Sequence, residues 1–143
     1  MESVLIGVDQ SDASTRAMTF GVERARRNRW KVLVVYVVNW NPFGFTTPED
    51  NEHRSAEREK EIAYARTEII APMVALADEA GVECEALVHH GKPSQVMADL
   101  ARDRGLDLII VGRVGDSGLR EAIFGSTASR LVQHASVPVM VVP

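Results

Sequence analysis

Apolar residues in this chain come in short unbroken runs, separated by segments whose apolar positions keep helical spacing. Val4-Leu5-Ile6-Gly7-Val8, Lys31 to Val38, Leu106 to Val111 and Val139-Met140-Val141-Val142 show little or no polar alternation, as expected of strands covered on both faces of a sheet. Val82 to His90 differs. There Glu83 and Glu85 alternate with Cys84 and Ala86, the two-residue period of an edge strand with one wetter face. Between the first two strands, Ser11, Asp12 and Ser14 offer helix caps ahead of Ala17, Met18, Phe20, Gly21 and Ala25, predicting a helix that ends near Asn28. Glu49 to Ala80 predicts a long amphipathic helix with a charged start (Glu57-Arg58-Glu59-Lys60-Glu61) and apolar spacing later (Ile62, Ile69, Met73, Leu76, Ala77). Pro72 should kink or break it, and Gly81 should end it. A third helix opens at Pro93, carries Val96, Met97, Leu100 and Ala101, and stops at Gly105. A fourth opens at Gly125-Ser126-Thr127 and carries Ala128, Leu131 and Val132. Asn39 to Asp50, with Trp40, Phe43 and Phe45 among prolines and Gly44, fits neither period; it reads as an aromatic loop that covers the sheet, with a lid as the alternative.

Strands alternating with helices call for an α/β fold: one doubly wound five-stranded parallel sheet with helices on both faces and right-handed crossovers. Ligands of such sheets bind beyond the carboxyl ends of the strands, where the strand order reverses. With the order 3-2-1-4-5, the first and fourth strands are neighbours across that reversal. Their exits carry Asp9 and Gly112.

Those exits are the most distinctive in the chain. Four of the ten glycines lie between 112 and 125, so their concentration is local. Glycines after a buried strand let bare N–H groups approach a ligand, and a helix opening on Gly125-Ser126-Thr127 adds unpaired donors, a positive dipole end and two hydroxyls. Phosphate is the natural guest. Neither Gly-x-x-x-x-Gly-Lys-Ser/Thr nor Gly-x-Gly-x-x-Gly is present, so the common phosphate fingerprints do not apply. Asp9 can cap the first helix, accept hydrogen bonds from ribose or base, or help hold a phosphate-bound cation.

With 143 residues, the chain suits a single domain over 1–143. A net charge of -4 argues against a nucleic-acid partner, and no apolar run approaches a membrane span. Arg24, Arg26, Arg27 and Arg29 crowd one predicted helix end, where cations are favoured. The lone Cys84 can form neither an internal disulfide nor a cysteine metal site; with no basic leader at the start, a cytoplasmic location is expected.

The spacing Gly112-x-x-Gly115, nine residues, Gly125-Ser126 resembles the nucleotide-binding signature of the universal stress proteins. The similarity extends along the chain: Val4-Leu5-Ile6-Gly7-Val8-Asp9-x-Ser11, Gly91-x-Pro93, Asp107 to Gly112, and His134-Ala135-x-x-Pro138-Val139-Met140-Val141-Val142. The complete glycine signature is similar to the ATP-binding branch of that family. The resemblance implies the order 3-2-1-4-5, adenine near Val8, Val38 and Val111, and ribose near Asp9 and Gly112. It implies phosphates on Gly115, Gly125, Ser126 and Thr127, with Mg²⁺ or Mn²⁺, and a homodimer through Val139 to Val142. Arg113 points either to the phosphates or to solvent.

The expected function is that of an ATP-binding regulatory module of the stress response with slow or no hydrolysis, and no catalytic residue is assigned. Alternatives are a dimeric interaction module that binds no nucleotide, and a weak ATPase. A response-regulator receiver has similar size and topology but needs a phosphoacceptor Asp closing the third strand, where this chain has His89-His90-Gly91.

Overall fold

Strand β1 (Ser3–Val8) lies at the centre of the sheet, between β2 (Lys31–Asn39) and β4 (Leu108–Gly112). With β3 (Cys84–Gly91) and β5 (Val139–Val142) at the edges, the order is β3-β2-β1-β4-β5, and every pairing is parallel. Ile6 stands opposite Val34 on one side and Ile110 on the other. This is a computed structural model, and it describes residues 2–39, 48–114 and 125–143, with the side chains of 48–54 left aside.

Alternation along the central strands divides the core into two layers. Val4, Ile6, Val32, Val34 and Ile110 face α1 (Asp12–Asn28), a π-helical turn (Ala65–Ile70) and α3 (Ala71–Glu79). Leu5, Leu33, Val35, Ile109 and Val111 face α4 (Pro93–Asp103) and α5 (Ser126–His134). Both faces are therefore covered, which is why the strands read as unbroken apolar runs. Leu5, Ile6 and Ile110 have no exposed surface, and each contributes on the order of 1.5–3 kcal/mol by burial.

Where the structure departs from the sequence reading, the reasons are local. Leu106 and Asp107 precede β4. The Leu106 N–H closes the end of α4 on the Ala101 carbonyl, while Asp107 exchanges hydrogen bonds with Ser3 at the sheet's lower rim. The long helix from Pro48 is α2 (Pro48–Tyr64) followed by the π turn and α3. The irregularity therefore falls just before Pro72: the Ala71 N–H reaches five residues back to the Arg66 carbonyl, widening the turn where proline has no N–H and would strike a carbonyl. Val132 is 58% exposed. Ala128 and Leu131 hold the core face of α5, and the next residue turns away from it. Residues 40–47 of the aromatic loop lie outside the described residues; Asn39 ends β2 and Pro48 begins α2.

Helices α1, α3 and α4 end alike. In each, a residue just past the helix takes a left-handed conformation: Arg29 (φ 58) directly after α1, and Gly81 (φ 70) and Gly105 (φ 65) one residue further on, after Ala80 and Arg104. The following N–H then bonds back to Ala25, Ala77 or Ala101, the double closure that satisfies terminal carbonyls. The last turns of α1 and α4 carry Arg26, Arg27 and Arg102, complementing the negative dipole end.

Candidate functional site

The β1 exit is tied down by a network of hydroxyls. Ser11 caps α1: its Oγ accepts the Ser14 N–H at 3.1 Å. Asp9 instead closes a tight turn, its Oδ1 accepting the Ser11 N–H at 2.9 Å and the Ser11 hydroxyl at 2.5 Å. The Asp9 N–H donates to Oγ of buried Ser14 at 2.7 Å. Of the serines read as caps, Ser11 thus also fixes the carboxylate, and Ser14 holds the Asp9 backbone.

At the β4 exit the backbone runs against the start of α1. A Cβ at Gly112 would lie 2.8 Å from the carbonyl carbon of Ala13, so only glycine permits this approach. Arg113 then serves as a clamp: its N–H donates to Val142 at 2.7 Å, and its carbonyl accepts the Gly125 N–H at 2.6 Å. This brings the start of α5 beside the β4 exit. Gly125 is the N-cap of α5, and no side chain caps this end. The N–H groups of its first turn, Ser126 to Ala128, therefore point out of the helix with the positive end of the dipole. The start of α4, at Lys92, Pro93 and Ser94, borders the same space.

Together these elements enclose a crevice of about 220 Å³. Its apolar wall includes Val35, Val37, Met97 and Val111. Of the residues singled out from sequence, Val8, Asp9, Val111, Gly112, Gly125, Ser126 and Thr127 border it. Val38 does not. It borders a separate cavity on the other side of the sheet with Tyr36, Lys60 and Tyr64, because successive strand residues face opposite ways. The exposed Arg113 side chain is not part of the lining, and Gly115 lies outside the described residues.

Lys92, Ser94 and Arg130 escaped the sequence reading and also border the crevice. Neither Lys92 nor Arg130 is drawn into an ion pair among the described residues. With the two helix starts they make the α4–α5 end receptive to anions. The β1 end, at Asp9, presents a hydrogen-bond acceptor. Among the described residues no three His, Cys, Asp or Glu side chains gather as metal ligands, and Asp9 is the one carboxylate among the described residues of the crevice wall. A larger trough of about 750 Å³ follows α1, but much of its wall is the side of one helix and part of its charge is committed to the Glu23 pairs with Arg26 and Arg27.

A doubly wound α/β domain with a crevice beside two helix starts at its switch point is the class of protein that fold and site define. The chain belongs to the universal stress protein family, whose model matches residues 1–143. It is 29% identical over 141 residues to universal stress protein MJ0531 of Methanocaldococcus jannaschii, covering 99% of this chain and 81% of that one. Among solved structures it resembles UspA from Lactobacillus plantarum, with a TM-score of 0.86, 27% identity and 99% and 97% of the two chains covered. It also resembles the universal stress protein from Archaeoglobus fulgidus in complex with dAMP, with a TM-score of 0.67, 25% identity and 100% and 98% coverage.

Proposed function

We propose that this chain is a single-domain regulatory module of the stress response that binds ATP in the crevice between the β1 and β4 exits, with slow or no hydrolysis. The observation that carries the reading is the convergence of the Gly112 exit and the starts of α4 and α5 on one hollow beside Asp9. Adenine would lie on the apolar wall, with Val37 in the place first given to Val38; ribose hydroxyls would meet Asp9 and Gly112. Phosphates would take the α5 start at Gly125, Ser126 and Thr127, with Gly115 completing the cradle. The dAMP-bound relative supports an adenine nucleotide as the guest.

Mg²⁺ or Mn²⁺ fits this site only as a passenger on the phosphates. A hard divalent cation wants about six oxygens, and among the described residues the wall offers Asp9 alone as a carboxylate, with its Oδ1 already engaged by Ser11. That engagement also makes Asp9 a positioning acceptor, and phosphate release from ATP is expected to be slow or absent.

Calorimetric titration with ATP and Mg²⁺ tests the reading. Saturable one-to-one binding below millimolar ATP is expected, weakened by Ser126→Ala with Thr127→Val. Absence of binding at millimolar ATP would remove the nucleotide claim and leave the fold intact.

The reading extends to a homodimer through β5. Val139 to Val142 are all half-buried, and among the described residues the strand pairs with β4 on one side only, an apolar edge that invites a second strand. A cytoplasmic setting is in keeping with one free thiol.

A further inference from the structure

The crevice continues past the α5 start into a groove between α4 and α5. This second cavity, of about 300 Å³, shares Lys92, Ser94 and Arg130 with the first and runs on past Asp99 and Arg102 to His134. From Ser94 to Arg102 the helix rises roughly 12 Å, long enough for several linked phosphates. Its charges are unevenly committed. Asp99 accepts from Gln95 Nε2 at 2.9 Å and lies 3.4 Å from the Arg102 guanidinium, which also pairs with Asp103 at 3.0 Å. Lys92 and Arg130, at the junction of the two cavities, have no such partner among the described residues. Two uncommitted cations beside two uncapped helix starts form an anion path leading out of the crevice.

We infer that the groove between α4 and α5 receives the outer part of a polyphosphate chain, so that the protein selects adenosine carrying more than three linked phosphates, as in adenosine tetraphosphate or a dinucleoside polyphosphate. Lys92 and Arg130 hold the chain where it leaves the crevice, and Arg102 meets its far end. This rests on the adenine-nucleotide reading and adds the length of the anionic chain as the selected feature.

The test is a titration series at fixed ionic strength with AMP, ADP, ATP, adenosine 5′-tetraphosphate and diadenosine tetraphosphate. Affinity is expected to rise at least tenfold from ATP to the tetraphosphate. Lys92→Gln with Arg130→Gln should abolish that rise, with a loss that grows from AMP to the tetraphosphate, and Arg102→Gln should weaken only the longest chain; both variants should keep the parent thermal transition. AMP binding with no gain beyond ATP, or equal losses for AMP and tetraphosphate in the double variant, overturns the groove and leaves the nucleotide reading standing. Failure of every nucleotide to bind overturns both. A gain for adenosine tetraphosphate but not for diadenosine tetraphosphate assigns the groove to a chain with a free end.

Discussion

Gly112 shows how one residue links fold to site. Its missing side chain lets the β4 exit lie against the first turn of α1, and Gly112→Ala would put a methyl group against the Ala13 backbone. Backbone cannot rotate away as a side chain can, so a loss of about 1–3 kcal/mol is expected, seen as an earlier urea midpoint together with weaker nucleotide binding. Arg29 gives the opposite case. It closes α1 at φ 58 and ψ 42, a position where α3 and α4 use glycine. A left-handed non-glycine costs roughly 1–2 kcal/mol, and the extra freedom of an unfolded glycine returns roughly 0.5–1 kcal/mol of that. Arg29→Gly should therefore stabilise the protein by about 0.5–1 kcal/mol in chemical denaturation, and Arg29→Ala should not.

Cys84 carries a pH signature. Burial, then the nearby Asp78 carboxylate, pushes its thiol from about 9 up to about 11. A neutral thiol favoured by the fold contributes stability that is complete below pH 9 and lost as pH rises from about 9 to 11. Two measurements check this: iodoacetamide labelling at pH 8 should be slower than for an unfolded control, and Cys84→Ala should flatten the alkaline fall in melting temperature. At this scale the sequence was legible wherever a residue type is its own signal, as at Gly112 and Ser11. Val38 was not, since an all-apolar run such as Val32 to Val38 does not reveal which of two neighbours faces which layer.

At the scale of elements, Pro72 announced a disturbance in the long helix, and the fold absorbs it as a widened turn over Ala65–Ile70. Such a turn holds one residue more than an α-helix needs, so deleting exposed Thr67 should restore regular geometry while keeping Ile69, Ile70 and Met73 in the core. The restored carbonyl would then meet the proline ring. The deletion alone should cost about 3 kcal/mol, and most of that cost should vanish when combined with Pro72→Ala. Equal costs in both backgrounds, measured by urea denaturation, would separate the wide turn from the proline. Element types followed from periodicity, including the wetter edge strand β3. What periodicity could not supply was the convergence of distant starts: Lys92 and Arg130 reach the crevice through the packing of α4 on α5, and nothing local in either sequence marks them.

For the whole molecule, strand order was legible only once the resemblance to a family had been recognised, because alternation alone admits other windings. The assembly follows from the edges. Met140→Lys on β5 would place a charge on the proposed self-pairing strand, and light scattering after gel filtration should show a shift from dimer to monomer; a monomeric parent protein would end the dimer proposal and leave the crevice untouched.

The parallel arrangement has one further consequence. Because α1, α4 and α5 all start at the carboxyl rim of the parallel sheet and run back in the same sense, their electrostatic axes add instead of cancelling, and the arginines at the far pole, paired with Glu23, Asp99 and Asp103, add little net charge there. A negatively charged visitor is therefore turned and drawn toward one end of the molecule before any contact forms, so that capture begins as guided approach and should slow as salt is added.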